Sequence, residues 1–214
     1  MFKNILIITF VTVILVAGCA QRRASDSSDP IEMPALPTPA STVEELIINL
    51  YSDDMNVRLV SIYELQKYGD AASVAVPALI SNLHVDNNDV RVASATTLGK
   101  LGQDAQDATQ DLLYVLENDP YIHARSAAAF ALGRIGNQSS VPHLAAALYD
   151  QNPYNSYDVS ISSAVAIAKI TGEKFSDHDS TTGFQLNANG IPLIVIDARD
   201  WWLNEGQYED LSSK

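Results

Sequence analysis

Four histidines, His84, His123, His143 and His178, and a single cysteine, Cys19, are the side chains of this 214-residue chain most able to ligate a metal or act as a nucleophile or base. No two histidines stand four residues apart and none is followed by glutamate, so the helical zinc pattern with its glutamate base is absent. Asp177-His178-Asp179 beside Ser180 holds the residue types of a nucleophilic triad. Neighbours on one loop do not easily adopt triad geometry, in which the imidazole sits between hydroxyl and carboxylate. A Gly-x-Ser-x-Gly elbow, a Walker loop and a dinucleotide fingerprint are missing. The expectation is a chain that is not an enzyme and holds no metal and no cofactor.

Charge narrows the partners. The formal net charge is −13. After residue 40, ten basic residues face 23 acids, and nucleic-acid binding needs a basic face to neutralise phosphate. Acidity of this degree favours solubility or a basic partner. The acids are spread along the chain rather than clustered at calcium-ligand spacing.

These residues must be positioned by helices, because the chain repeats itself. Val57-Arg58 runs to Gly69, Val90-Arg91 to Gly102 and Ala124-Arg125 to Gly136, the arginine eleven residues before the glycine each time. The arginines are 33 and then 34 residues apart, and a degraded fourth copy ends at Gly172. A period of this size marks stacked helical hairpins that form a solenoid. First helices are expected over 55–68, 88–101, 121–135 and 156–171, and second helices over 72–84, 105–117 and 139–149. Gly69, Gly102 and Gly136 fall where a helix ends with positive φ. Gly99 and Gly133, one turn earlier, mark close helix contacts together with the alanines around them. Ser41 or Thr42 opens a preceding helix that caps the stack, with an acid three residues on.

The frame of acid, Val-Arg, alanine-rich helix and Leu-Gly-x-Leu-Gly resembles HEAT repeats, in the short bacterial form also found in phycobilisome-lyase-type proteins. The resemblance covers about residues 43–172 and implies an all-α fold, a short solenoid of about 3.5 to 4 hairpins. It also implies that Arg58, Arg91 and Arg125 form a structural ladder, each pairing with an acid in its own or the next repeat. Asp53 or Asp54, Asp86 or Asp89, and Asp119 hold the matching positions. The His-Glu pairs by which HEAT-type hydroxylases hold iron are absent.

Ahead of the repeats, Lys3 is followed by an apolar run from Ile5 to Ala17, too short to cross a bilayer comfortably as a helix. It ends in Leu-Val-Ala-Gly-Cys, which resembles the lipobox of bacterial lipoproteins. That resemblance implies a signal peptide over 1–18, cleavage between Gly18 and Cys19, and lipidation of Cys19. Residues 19–40 then read as the lipidated cysteine and a disordered tether rich in proline and serine. Ala20, where an aspartate would resemble an inner-membrane retention signal, favours the periplasmic face of the outer membrane.

Behind the repeats, residues 173–214 read as a capping segment. Gly183 to Asp197 reads as a β-hairpin with its turn at Asn187–Gly190 and a strand over Leu193–Ile196, followed by a short tryptophan-rich helix. An Ile-Thr-Gly-x-x-Phe stretch followed by a Trp-Trp helix is similar to the ends of many bacterial HEAT-repeat proteins. Trp201 and Trp202 either cover the last repeat or anchor a partner.

The functional expectation is a non-enzymatic scaffold or adaptor lipoprotein at the cell envelope, holding an envelope protein with a basic segment. Helical phase puts His84, Gln110, Asp111, Tyr114, Glu117, His143 and Tyr149 on the exposed face of the second helices. Tyr149, Tyr154 and Tyr157 form either a binding patch or a cover over the end of the core. One alternative is a lyase-like or chaperone accessory that holds a cofactor-bearing substrate. The other is a structural subunit of an envelope assembly machine.

Overall fold

The structure is a computed structural model and describes residues 42–150, 158–176 and 185–208. The described residues lie within the unit Leu36–Lys214. Cys19, Gly18, Tyr154, Tyr157 and the Asp177–Ser180 loop lie outside them.

Helix α1, Val43–Asn49, starts at a capping box: the Glu45 amide donates to Thr42 Oγ1 at 3.2 Å and the Thr42 amide donates to Glu45 Oε2 at 3.0 Å. Three hairpins and a lone helix follow. The first helices are α2 (Met55–Leu65), α4 (Asn88–Leu101), α6 (Ile122–Ile135) and α8 (Asp158–Thr171). The second helices are α3 (Val76–Asn82), α5 (Thr109–Asn118) and α7 (Val141–Ala147). The second helices begin later than their periodicity predicts. In the first two hairpins the chain leaves the first helix through 3-10 turns, Gln66–Ala75 and Gly102–Ala108, and a shorter one, Gln138–Ser140, precedes α7. Pro77 and Pro142 then open α3 and α7, where a missing N–H leaves no bond unmade.

One core runs from Leu46 in α1 to Trp201 in the last helix, lined by leucines such as Leu79, Leu98, Leu112, Leu132 and Leu144 with alanines between them. The first helices cross at close range. A Cβ on Gly133 would sit 2.6 Å from the Ala166 Cα, and one on Gly99 would sit 2.9 Å from the Ala131 Cα. Both glycines are therefore required by the approach of α6 to α8 and of α4 to α6.

The three arginines each reach the end of the second helix of their own hairpin, and not the carboxylates that precede their helices. Arg91 holds the Asp119 carboxylate through Nε and Nη2 at 2.6 and 2.8 Å. Its Nη1 donates to the Val85 and Asp86 carbonyls. Arg125 grips Asp150 with both contacts at 2.9 Å, and its Nη1 takes the Asp119 carbonyl at 2.8 Å. Arg58 donates to Asn82 Oδ1 at 2.8 Å, a neutral partner. Of the acids that the repeat frame marked, Asp119 alone accepts an arginine side chain through its carboxylate. Asp54 instead caps α2 by accepting from the Asn56 amide at 2.8 Å. The reason is length: an arginine in the first turn reaches past its own helix start to the end of the neighbouring second helix. The Arg91–Asp119 pair is almost fully buried, and every group on it is satisfied, which a buried ion pair needs in order to be tolerated.

The expected C-terminal β-hairpin does not form. Asn187–Gly190 makes the turn, with Gly190 at φ +75°, and Leu186 and Pro192 form one isolated bridge. The residues read as the second strand begin helix α9, Leu193–Asn204, instead. Pro192 pre-sets the φ that a helix start requires. Ile194, Val195, Ala198 and Trp201 then fall at helical spacing and are buried beside α8. Packing of that stripe overrides the strand preference of Ile194-Val195-Ile196, which has no sheet to join.

Candidate functional site

Two faces of the repeat stack carry exposed side chains of functional type. The first is built by the second helices. His84, just past the end of α3, shares a hydrogen bond with Asp111 of α5, Nε2 to Oδ1 at 2.7 Å. One turn on, Tyr114 sets its ring 5.9 Å from the His84 ring and remains mostly exposed. Glu117 comes next on the same helix and meets His143 of α7, Oε1 to Nδ1 at 2.5 Å. Helix α5 therefore places Asp111, Tyr114 and Glu117 at i, i+3 and i+6 and reaches one neighbour on each side. Gln110 is exposed beside them.

His84 and Tyr114 also border a cleft of about 390 Å³, whose far wall is Arg91, Asn118 and Asp119. The hydrogen bonds that Arg91 donates to the Asp119 carboxylate hold its guanidinium above its ordinary pKa, against the burial that would lower it. That cleft thus has a permanently charged wall that is already neutralised. Each imidazole is oriented by a carboxylate from an adjacent helix. Such a dyad is the arrangement by which a general base is held ready to accept and return a proton.

Tyr149 faces the same side at the end of the stack. The Arg199 guanidinium carbon lies 4.6 Å from its ring centre, while Nε and Nη2 donate to the Leu148 carbonyl at 3.1 and 2.5 Å. Arg199 thereby fastens α9 onto the end of α7. Trp201 is buried against Phe175, with ring centres 5.9 Å apart, and Gly206 packs on its ring. Trp202 is half-buried beside it. Trp201 is a cover over the last repeat. The structure does not gather the two tryptophans with the His84–Tyr114 group.

The second face lies between first helices and was not marked by the sequence reading. Phe130, Ile161 and Val165 wall a cleft of about 280 Å³ whose floor is Gly133 and Ala166. Arg134 and Lys169 stand at its mouth. Their sequence signal is a basic residue just ahead of each terminating glycine: Lys67, Lys100, Arg134 and Lys169. It was overlooked because a cation in the last turn of a helix also serves the helix dipole and draws no notice.

The fold is similar to that of known proteins. The family model of the PBS lyase HEAT-like repeat matches residues 124–150, which is α6 with the hairpin that follows. The solved complex of CpcE and CpcF of phycocyanin lyase from Nostoc sp. PCC7120 is similar in structure, with a TM-score of 0.51 and 24% identity, over 70% of this chain and 71% of that one. No curated protein matches. The hairpin over residues 124–150 is therefore a HEAT-like repeat of the kind named for PBS lyase, and the fold as a whole is similar to that of the CpcE–CpcF complex. The expectation that the chain is not an enzyme is overturned by these two matches: the repeat model is named for PBS lyase, and the solved complex is a phycocyanin lyase. The absence of familiar catalytic motifs is a poor guide here, because repeat surfaces assemble their chemistry from separate helices.

Proposed function

We propose that this chain is a lyase-type accessory that holds a cofactor-bearing substrate on its second-helix face. The observation that supports it is the pair of inter-repeat imidazole–carboxylate contacts flanking exposed Tyr114, one of whose imidazoles, His143, belongs to the segment that matches the PBS lyase HEAT-like repeat. Pre-oriented groups bind with little loss of side-chain freedom, and a tyrosine between them supplies apolar area with a polar tip. In this reading Tyr114 is the anchor. His84, oriented by Asp111, is the residue that exchanges a proton with the bound substrate. His143 with Glu117 positions the segment that leaves the cleft. The acidic balance of the chain selects a basic substrate segment.

The proposal includes the address. Leu-Val-Ala-Gly-Cys resembles a lipobox, so Cys19 is the lipidation site and the repeats act at the cell envelope, on the periplasmic face of the outer membrane. Among the described residues no helix is long and apolar enough to cross a membrane.

The test is a photo-reactive residue in place of Tyr114 in the full chain, expressed in its own cell. The expected product is a crosslink to one protein that carries a covalently bound cofactor by mass spectrometry. Deleting the chain should leave that protein without its cofactor. A crosslinked partner that carries no cofactor, or one whose cofactor loading is unchanged by the deletion, overturns the lyase-type reading.

A further inference from the structure

The groove between first helices is lined by two cations that no carboxylate answers among the described residues. Lys67 is paired with Glu64 at 2.6 Å, and Lys100 donates to Gln66 Oε1 at 2.5 Å. Arg91 and Arg125 each grip a carboxylate. Arg134 and Lys169 have no carboxylate within ion-pair distance among the described residues, in a chain of net charge −13. Both line the same cleft instead. Desolvation, and then the Arg134 charge, pull the Lys169 ammonium below its ordinary pKa. Both cations are exposed, so water screens their repulsion in part, and an anion between them would lower it further.

The apolar part of the groove is also built. Phe130 and Val165 are 42% and 45% exposed, large for apolar side chains on adjacent helices. Gly133 and Ala166 bring α6 and α8 so close that no side chain fills the floor between them. The cleft continues past Phe130 and Ser162 into a more open trough of about 620 Å³, along Val92 and Thr96, that ends near Asp89. The groove is therefore basic at one end, apolar along its length and acidic at the other.

We infer that this groove binds a small amphipathic carboxylate, its head between Arg134 and Lys169 and its apolar body along Phe130, Ile161 and Val165. The charge gradient fixes the direction of the ligand. Two cations match one carboxylate, and a concave floor suits a small body better than a flat protein surface. A second copy of the chain is disfavoured as the occupant because two molecules at −13 repel. The groove lies away from the His84–Tyr114 group and does not depend on the reading given to it.

The experiment uses the full chain labelled with nitrogen-15 and three probes below micellar concentration: decanoate, 1-decanol and acetate. Decanoate should shift the amides of 130–134 and 161–169 saturably. The neutral alcohol and the headgroup alone should bind at least about tenfold more weakly, since each lacks one half of the match. Arg134→Gln with Lys169→Met should remove decanoate binding while leaving the helical signal and melting temperature in place. Equal binding of decanol overturns the carboxylate assignment. Absence of a saturable shift, or shifts confined to the second-helix face, overturns the site. A concentration-dependent dimer that occludes residues 130 and 165 would make a second copy the occupant and overturn the small-ligand assignment.

Discussion

The two faces of the solenoid handle charge in opposite ways. On the second-helix face, polar groups arrive in pairs supplied by adjacent repeats: His84 with Asp111, and Glu117 with His143. On the first-helix face, Arg134 and Lys169 are left to repel one another above an apolar floor. The paired face is at rest without a ligand, and what it offers is pre-orientation. The unpaired face is under tension, and what it offers is relief of that tension on binding. A repeat protein can build both from one sequence frame because each face draws on a different helix of the hairpin. Mutations should therefore separate three things: the ladder that aligns the repeats, the crossing that shapes the groove, and the two sets of exposed side chains.

The largest effect belongs to the ladder beneath both faces. Asp119→Ala leaves the Arg91 guanidinium almost fully buried without its paired carboxylate, and it strips the acceptor from the Tyr121 amide. Loss of one partner of a buried pair costs about 3–5 kcal/mol. Urea unfolding should show a drop of that size. A drop under about 1 kcal/mol would mean that the pair behaves as an exposed one. The neutral contact of Arg58 with Asn82 offers the contrast. Asn82→Ala removes a neutral acceptor of Arg58 and the donor to the Leu50 and Ala78 carbonyls, with no ion pair broken, so its penalty should stay nearer that of an ordinary buried hydrogen bond, about 1–3 kcal/mol.

Next comes the crossing that floors the first-helix groove. Gly133→Ala puts a methyl 2.6 Å from backbone of the facing helix, so α6 and α8 must move apart. Overpacking of this kind costs about 1–3 kcal/mol. The same variant should change decanoate binding by reshaping the groove, while a partner on the second-helix face binds as before. A melting temperature equal to that of the parent would show that the helices are not in close contact.

How much of this could be read beforehand differs between the two faces for physical reasons. The repeat was legible because Arg58, Arg91 and Arg125 recur against fixed glycines, and helical phase placed His84, Asp111, Tyr114, Glu117 and His143 on one face. The bounds of α4 and of α6 were legible to within a residue because Gly102 and Gly136 terminate them. The pairing of imidazole with carboxylate was not, since it depends on how far adjacent repeats are rotated. Asp150 and Asn82 as arginine partners were hidden because they are 25 and 24 residues from their arginines and become neighbours only when the hairpin closes. The strand read into Leu193–Ile196 shows the opposite failure, where local preference was clear and tertiary packing reversed it. The groove was missed because each of its parts has an ordinary role. Cations end helices, and single exposed apolar residues are common.

Exposed pairs on the second-helix face should be nearly silent in stability and loud in binding. Asp111→Ala or Glu117→Ala removes a contact that is about half solvated, worth about 0–1 kcal/mol to folding. If the pre-orientation matters, each should weaken the crosslink made from position 114. A stability loss well above about 1 kcal/mol without any change at position 114 would make these pairs repeat glue and nothing more.

The smallest effect has an unusual sign. Lys169 is disfavoured as a cation in the folded chain, first by desolvation and then by Arg134, so its folded pKa lies below the unfolded one. Between those two values the unfolded chain binds more protons than the folded chain, and stability rises with pH in that window. At neutral pH, below both values, the penalty is fully present. Lys169→Met should then hold or slightly raise the melting temperature at neutral pH, although it removes a cation from the last turn of a helix, where cations usually help. As the pH climbs toward the ordinary lysine range, the parent sheds the proton and gains stability relative to the variant, so the gap between them should close. A variant less stable than the parent at neutral pH would show that the dipole outweighs the repulsion. It would also remove the tension attributed to the unpaired face. An advantage that persists unchanged to high pH would place its origin in packing of the methionine, and the charge would then play no part.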